Sequence, residues 1–376
     1  MIPVFKPLIE KEEFEAANAV LTNGWLGMGS YVGEFESKIS DLLHLKDTGR
    51  YAVAVSTGHA ALHLALLLFD IGKDDEIITP SFNNIADFQA ILAVGAKPVF
   101  CDVLEDTLCI DLDKAEALIT DKTKAIIVMD YDCFLCDHDK AKKIGKAHNI
   151  KIIHDAAHSF GAVYKGLHCG NLADATMFSF DPVKSITCLD GGALIVKTEE
   201  EVEKLHQMRL VGMGQPAAVM YGNQRAWTYN VEQLGFRYHM SNMHAAIGLA
   251  QLSKFDEIVE SRRYACSFYD SQLKDVVELK VPLADYSFVV PFLYYIRVPK
   301  GKRKDFIDWM KLEGVDLGIH WQPGHWFELF KNCKSGDLSV TEKIAYEIVS
   351  LPLHSKMNLS DLEKITSKIR EFFNYA

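Results

Sequence analysis

A lysine and an aspartate in this sequence are placed where they could hold a cofactor together. Lys184 follows residues 177–180, a run that can end a strand, and it precedes the apolar run 193–196. Pro182 prevents a regular helix at the lysine because proline lacks a backbone N–H and has a fixed φ. Asp155 ends another apolar run upstream. An amine that forms a Schiff base and a carboxylate that faces a pyridinium nitrogen are what pyridoxal phosphate requires, so the pair predicts a site for that cofactor.

Alternating strands and helices must position these residues. The runs predicted as strands are Tyr51–Val55 and residues 76–78, 98–100, 125–129, 152–154, 176–180 and 193–196. The segments predicted as helices are residues 60–69, 85–94, 112–119, 139–147 and 199–210. Nearly continuous apolar strands are typical of a sheet that is covered on both faces. The alternation therefore predicts an α/β fold with a mainly parallel sheet wrapped by helices.

One edge of that sheet is the expected binding site. In open parallel sheets the ligand lies outside the carboxyl ends of the strands, and Asp155, Ser179 and Lys184 all follow predicted strand ends. The turn at residues 57–60 opens a helix after the first strand, and a helix N-terminus offers free N–H groups to a phosphate. The alternative interpretation is that Gly58 only ends the strand.

Composition and charge argue against several classes of function. The 376 residues carry a net charge of −11, whereas nucleic-acid binding depends on clustered Lys and Arg. No run reaches the length of a membrane span and no apolar signal core occurs near Met1, so we expect a cytoplasmic protein. The eight cysteines lie mostly in apolar runs, which is typical of reduced, buried thiols. Cys133 and Cys136 have redox-like or zinc-like spacing without a second pair, and we predict no metal site.

The pattern changes after residue 235. A polar and aromatic connector at residues 236–242 leads into one long predicted helix that runs to about residue 273. The sequence then predicts a strand at residues 288–298, a helix at 303–313 and a last helix at 360–373. We therefore expect a large cofactor-binding domain with an N-terminal arm at residues 1–250 and a smaller α+β domain at residues 251–376.

Several motifs, taken in order, resemble one enzyme family. They are GWL at residues 24–26, STGHAAL at 56–62, DEIITPS at 75–81, VGAKPVF at 94–100, DAAHSFGA at 155–162, the stretch 178–192, YHMSN at 238–242 and SLPLH at 350–354. Together they resemble the sugar-nucleotide aminotransferases of the DegT/DnrJ/EryC1/StrS family over nearly the whole chain. The resemblance implies an aspartate-aminotransferase-like fold (fold type I of the pyridoxal phosphate enzymes). It also implies pyridoxal 5′-phosphate as cofactor, with pyridoxamine phosphate between the two half-reactions.

The resemblance assigns roles around the cofactor ring. Lys184 would form the Schiff base and act as the catalytic base, which requires a lowered pKa. Asp155 would keep the pyridine nitrogen protonated. His158 would lie against or beside the ring, and a plain packing role explains this histidine nearly as well.

The resemblance places the cofactor phosphate at a second cluster. Thr57, Gly58 and His59 would bind it together with Ser179. Arg237 matches a position from which family members reach the cofactor phosphate of the neighbouring subunit, and a guanidinium suits that anion. The resemblance therefore implies a homodimer with shared active sites.

Three positions depart from the family pattern. His59 stands where Thr is common, and residues 130–133 replace a His-x-x-Gly string. Asn84 stands where an aromatic residue commonly stacks on the cofactor, and Phe82 is offset from that place; we keep Asn84 as a cofactor-binding candidate. Lys184 is intact, whereas a branch of the family with histidine there performs a dehydration, so the resemblance favours transamination.

The residues after the lysine give an indication of the substrate. The string VKSIT at residues 183–187 resembles members that aminate C4 of a 4-keto-6-deoxy sugar nucleotide, while members that act at C3 tend to carry Asn-Leu-Gly there. The expected donor is L-glutamate, and the product would be an amino sugar for polysaccharides such as O-antigen. Candidate substrate-binding residues are Trp25, Tyr31, His320, Trp321 and His325, whose rings could equally pack the protein.

Two other classes of function fit the sequence less well. A non-catalytic regulator that binds pyridoxal phosphate would need an added DNA-binding segment or a broken site, and the sequence shows neither. A nicotinamide-dependent sugar oxidoreductase fits the α/β alternation, but no strand–Gly-x-Gly-x-x-Gly–helix unit occurs. We therefore expect an aminotransferase that binds small molecules and neither nucleic acid nor a membrane.

Overall fold

The computed structural model describes residues 1–374, and its centre is a large β-sheet. The strands are β1 (Tyr51–Val55), β2 (Glu76–Pro80), β3 (Lys97–Cys101), β4 (Thr123–Met129), β5 (Lys151–Asp155), β6 (Val163–Tyr164), β7 (Leu167–His168), β8 (Ala175–Ser179), β9 (Gly192–Val196), β10 (Met213–Gly214), β11 (Asn230–Val231), β12 (Tyr294–Arg297), β13 (Lys334–Ser335) and β14 (Ile348–Leu351). The helices are α1 (Lys11–Asn23), α2 (Ser30–Leu42), α3 (Gly58–Leu68), α4 (Ile85–Ala93), α5 (Leu112–Ala117), α6 (His138–His148), α7 (Glu199–Met208), α8 (Ala217–Met220), α9 (Asn242–Ser253), α10 (Phe255–Leu273), α11 (Arg303–Leu312), α12 (Ser339–Glu347) and α13 (Leu359–Phe372). Short 3-10 helices occupy Leu45–Thr48, Tyr286–Phe288 and Gly324–Trp326.

The central sheet has the strand order β1-β9-β8-β5-β4-β2-β3-β13. All neighbouring pairs are parallel except those of β9, which runs antiparallel to both β1 and β8. A parallel return would need a crossover, usually a helix, and the loop from β8 to β9 contains none. The predicted α/β fold with a mainly parallel sheet is confirmed. The reversal of β9 has a consequence for function, since both ends of the Lys184 loop lie at the edge where β5 ends in Asp155.

The burial pattern agrees with a sheet covered on both faces. Every residue of β9 is buried, and β4 is buried at all positions but one. The largest apolar cluster extends from α2 on the large sheet to α10 and α13 near the C-terminus, so one continuous core crosses the predicted domain boundary. The division at residues 250 and 251 stays a prediction.

The prediction of one long helix that runs to residue 273 is wrong in one respect, because the structure divides this segment into α9 and α10 at Lys254. That residue leaves the helical conformation with φ −109° and ψ 15°. Its ammonium group lies 3.0 Å from the carboxylate of Glu13 and 3.6 Å from those of Glu10 and Glu12. No proline or glycine marks the break. It is stabilised by contacts to α1, a segment far away in the sequence.

The strand predicted at residues 288–298 is also wrong in extent, since only Tyr294–Arg297 forms a strand. Pro291 cannot donate a ladder hydrogen bond. The N–H groups of Phe292 and Leu293 donate to the Asp132 carboxylate at 3.2 and 3.0 Å and are not available to a neighbouring strand. Strand β14, its partner in an antiparallel pair, and helix α12 were not predicted. Within residues 1–374, no helix is long and apolar enough to cross a membrane.

Candidate active site

A closed loop between β8 and β9 carries Lys184. Phe180 N–H donates to Gly191 O at 2.9 Å and Cys188 N–H donates to Phe180 O at 3.0 Å, so the base of the loop continues the antiparallel pairing. Inside it, Asp181 O accepts from the Lys184 N–H at 3.0 Å. The lysine therefore has a fixed place at the carboxyl edge of the sheet, as the sequence predicted.

The Lys184 side chain is half-buried, and its amine lies against an aromatic ring. Its Nζ is 4.1 Å from the centroid of the Phe292 ring. Burial lowers the pKa of Lys184 to about 8, although the nearby Asp155, Asp181 and Asp87 carboxyls oppose this shift. An amine with such a pKa is uncharged in a useful fraction of molecules near neutral pH, which a nucleophile or base requires.

Asp155 is the last residue of β5, and it is only 2% exposed. Its Oδ1 accepts a hydrogen bond from the Ala157 N–H at 3.0 Å. Burial raises the pKa of Asp155, while the Ala157 N–H and the charge of Lys184 act against the increase. The carboxyl group is thus held at the same edge of the sheet as the lysine, where the sequence predicted it.

His158 completes this group one turn after Asp155. Its Nδ1 accepts a hydrogen bond from the Asp132 N–H at 3.3 Å, so the ring proton of the neutral form is on Nε2. Burial, followed by the charges of Lys184 and His320, holds the pKa of His158 well below its usual range. The ring centroid lies 4.3 Å from that of Phe292. His158 is therefore a neutral imidazole with one N–H to donate.

The predicted phosphate cluster comes together where α3 begins. Thr57 is the N-cap of α3, and its Oγ1 accepts from the Ala60 N–H at 2.9 Å. A Cβ atom at Gly58 would lie 2.7 Å from the Cβ of Ser179, so only glycine allows the helix end to approach this serine so closely. The exposed His59 follows in the first turn. Backbone N–H groups and a hydroxyl group within one turn of each other suit a phosphate.

The other predicted cofactor residues have different surroundings. Asn84 is the N-cap of α4, and its Oδ1 accepts from the Ala86 N–H at 2.9 Å. Arg237 is exposed and lines a pocket of about 670 Å³ together with Trp25. The cofactor-binding roles of Asn84 and Arg237 stay predictions.

Two of the predicted substrate residues lie next to the lysine site. The Trp321 ring is 6.1 Å from that of His158, and the buried Trp321 Nε1 has no hydrogen-bond partner within residues 1–374. His320 Nδ1 is 2.8 Å from Ser350 Oγ, and burial together with Lys184 lowers the pKa of His320 to about 4. Both rings therefore face the site as neutral groups.

The remaining substrate candidates lie elsewhere. His325 Nδ1 is 2.8 Å from Ser81 Oγ, and its Nε2 is 3.3 Å from Glu342, so contacts within the chain engage both ring nitrogens. Trp25 donates its Nε1–H to the Met28 carbonyl at 2.9 Å. Tyr31 is partly buried against the large apolar cluster. The substrate-binding roles of these three residues stay predictions.

Sequence reasoning missed three residues of the site. The first is Phe292, which contacts both Lys184 and His158. The second is Asp132, whose carboxylate fixes the place of Phe292 by accepting the backbone N–H groups of Phe292 and Leu293. The third is Asp87, which lies within α4 and is 1% exposed. An acidic residue inside an otherwise apolar segment is a signal that could have drawn attention to Asp87. Phe292 carries no such signal.

A buried cluster around Asp130 lies behind the site. Its carboxylate accepts from Cys136 N–H at 2.8 Å and from Ser159 Oγ at 2.7 Å, and it lies 2.9 and 2.7 Å from the Nε2 atoms of His138 and His154. Burial alone would raise the pKa of Asp130, but the two histidines hold it well below its usual range. Although the ring nitrogens and the carboxylate are near enough to hold a metal ion, these hydrogen bonds satisfy the carboxylate by themselves.

The residues of this edge fit pyridoxal phosphate. Gly58 brings the N-terminus of α3 against the Ser179 hydroxyl, which places phosphate-binding groups side by side, and Asp155, His158 and Lys184 offer an acid, a neutral N–H donor and an amine. We refer to these five residues as the cofactor cluster.

Comparisons with known proteins show that the chain is similar to aminotransferases over nearly its whole length. The aminotransferase TlmJ from Streptoalloteichus hindustanus superposes with a TM-score of 0.91 at 28% identity, covering 99% of this chain and 98% of that one. Spr1654 from Streptococcus pneumoniae, assigned as a sugar aminotransferase and solved in its PMP form, gives a TM-score of 0.91 at 26% identity, covering 100% and 99%. PseC from Helicobacter pylori, an aminotransferase involved in the biosynthesis of pseudoaminic acid, gives 0.90 at 25% identity, covering 99% and 98%.

The sequence itself matches the profile of one family over residues 7–370. With the fold and the relatives described above, this makes the protein an enzyme that uses pyridoxal phosphate to aminate a sugar. The chain belongs to the DegT/DnrJ/EryC1/StrS aminotransferase family.

Proposed function

We propose that this enzyme transfers the amino group of L-glutamate to C4 of a 4-keto-6-deoxy sugar carried by a nucleoside diphosphate. The observation that supports the reaction is the cofactor cluster, in which a lysine of pKa about 8 shares one edge of the sheet with Asp155 and His158. The product would be an amino-sugar nucleotide for polysaccharides such as O-antigen. The involvement of the relative PseC in pseudoaminic acid biosynthesis supports an amino-sugar product.

The residues of the cofactor cluster would divide the work among binding, orientation and proton transfer. When bound, pyridoxal phosphate supplies the ring that accepts electrons from the carbon bearing the amino group. Lys184 would take up and release a proton at Nζ, since its pKa lies near the operating pH. Asp155 would accept a hydrogen bond from the pyridinium nitrogen, and His158 would donate from Nε2. Phe292 would exclude water from the lysine.

The choice of C4 rests on the string at residues 183–187, and the surroundings of the lysine indicate where the sugar would lie. Trp321 lies beside the His158 ring with a buried Nε1–H that has no partner within residues 1–374, and His320 is a neutral ring near Lys184. An aromatic donor and a neutral imidazole suit the hydroxyl and ring faces of a sugar. Trp321 is therefore the residue that we expect to contact the sugar.

We propose further that the enzyme is a cytoplasmic homodimer. The segment that ends in Arg237 exposes Trp227 to 85%, Leu234 to 74% and Val231 to 55%, and a concentration of exposed apolar residues is typical of an interface. The exposed guanidinium of Arg237 next to these residues would be free to reach a phosphate of the neighbouring subunit.

The test is amination of a panel of keto sugars. The enzyme is incubated with glutamate and with dTDP-, UDP- and GDP-linked 4-keto and 3-keto sugars; mass spectrometry detects the amine and NMR locates the carbon. We expect amination at C4 by the wild type and by Lys331→Ala, an exposed-lysine control, and none by Lys184→Ala. Amination at C3 would contradict the proposed substrate. Bound pyridoxal phosphate without amination of any sugar would favour a regulator.

A further inference from the structure

A second acidic residue lies behind Asp155. Asp87, in the first turn of α4, is 1% exposed, and its Oδ2 accepts a hydrogen bond from Asn83 Nδ2 at 2.7 Å. The carboxyl groups of Asp87 and Asp155 are close enough to share a hydrogen bond, and Asn83 acts on the pKa of both. Three polar side chains thus form one buried group at the carboxyl edge of the sheet.

The two carboxyl groups cannot both be ionised. A carboxylate buried without a cation costs far more than a protonated carboxyl group, and two such groups in contact share a proton. Within the part of the chain that the structure describes, Lys184 is the cation whose charge acts on both groups, and its own pKa is lowered. The neighbouring His154 also acts on Asp155, but burial lowers its pKa and favours the neutral form.

The surroundings decide which of the two carboxyl groups holds the proton. Asp155 accepts from the Ala157 N–H at 3.0 Å and Asp87 accepts from the Asn83 amide at 2.7 Å, but Lys184 interacts more strongly with Asp155 than with Asp87. The N-terminus of α4 favours a charge on Asp87, but this effect is small compared with the cost of burying a charge. Burial and the charge of Asp155 raise the pKa of Asp87 well above its usual range. The negative charge therefore belongs to Asp155.

We propose that Asp87 is a positioning residue that stays protonated in the native enzyme and donates a hydrogen bond to Asp155. This bond would hold Asp155 as an ionised carboxylate in one rotamer, ready for the pyridinium nitrogen, and the inference rests on the role proposed above for Asp155. Asp87 does not itself contact the cofactor. Its effect on binding would pass through Asp155.

The first measurement locates the proton. Infrared spectra of the apoprotein at about pH 8 are recorded for the wild type, Asp87→Asn, Asp155→Asn and the exposed control Asp121→Asn. We expect the wild type to show a band from a protonated carboxylic acid that is lost in Asp87→Asn and kept in Asp121→Asn. A band that survives in Asp87→Asn would overturn the proposal, and so would one that is lost only in Asp155→Asn.

The second measurement is the dissociation constant of pyridoxal phosphate. Asp87→Asn retains a donor to Asp155, so we expect its dissociation constant to stay within about threefold of the wild type. Asp87→Ala loses a hydrogen bond to a charged group and should bind about tenfold or more weakly. Equal affinity of the Ala and Asn variants would refute the positioning role. If the Ala variant does not fold, the infrared comparison of the Asn variant still decides where the proton lies.

Neither measurement requires a sugar. An enzyme that shows the expected carbonyl band and affinities but aminates no sugar would contradict the proposed reaction and leave the role of Asp87 standing. An enzyme that aminates sugars but lacks the carbonyl band would support the proposed reaction and contradict the role of Asp87.

Discussion

The reactivity of Lys184 toward pyridoxal phosphate gives a quantitative test of the site. The ordinary lysine pKa of 10.5 falls to about 8 in this structure, because the amine is buried. At pH 7 the uncharged fraction is then about 9%, compared with about 0.03% for an ordinary lysine. The difference of about 2.5 pKa units corresponds to about 300-fold more reactive amine.

The assay mixes apoprotein with pyridoxal phosphate between about pH 7 and 10 and follows the visible absorbance of the attached cofactor. We expect the initial rate to be half-maximal near pH 8 and to become constant above about pH 9, where about 90% of Lys184 is uncharged. A short lysine peptide has a pKa near 10.4, so its rate should continue to rise over the same range. Lys184→Ala should develop no such absorbance, and Lys331→Ala should match the wild type.

A further variant separates the effect of burial on the pKa of Lys184 from the effect of the neighbouring carboxyl groups. Among the carboxyl groups that favour the charged lysine, Asp155 has the largest effect. Asp155→Asn should therefore move the constant region of the rate to lower pH. A wild-type rate that still rises severalfold between about pH 9 and 10 would refute the reasoning, because it would show that burial does not lower the pKa of Lys184.

Three other predictions concern the scaffold. Glu36→Gln should reduce stability by about 3–5 kcal/mol, since the fully buried Arg209, 2.6 Å away, loses its countercharge; an unchanged Tm would contradict this. Gly248→Ala would place a Cβ 2.6 Å from Phe35, an overpacking cost of about 1–3 kcal/mol that exceeds the helix-propensity gain of about 1 kcal/mol. Gly27→Ala, with no atom within 4 Å, should keep the wild-type Tm, and equal Tm values for both glycine variants would refute the argument. Burial raises the pKa of Asp132 to about 7 from 3.8, so the native state holds the proton more tightly than the unfolded state and stability falls as pH rises from about 4 to 7. The free energy of unfolding of Asp132→Asn should therefore increase relative to that of the wild type over this range, by up to about 4 kcal/mol, and its Tm should increase with it. A Tm difference that stays constant with pH would contradict the assignment.

Local sequence pattern was sufficient for most of the secondary structure of the large domain. The seven strands predicted before residue 200 all form, because each is a short apolar run bounded by turn residues, and such runs need no distant information. The local sequence pattern did not predict the ends of those helices and strands that contacts with distant residues determine. Helices α9 and α10 are separated at Lys254 by carboxylates of α1, and Asp132 takes the N–H groups that a longer strand β12 would need.

The sequence by itself determined the chemical groups of this protein: the lysine, the aspartate and the glycine turn, each at a strand end and in the order of one family. The tertiary structure alone decided how those groups behave. Phe292 and the surrounding core remove water from Lys184, and Asp87 reaches Asp155 from another helix. Burial and through-space charge set both pKa values, and these depend on residues that are distant in the chain and close only after folding.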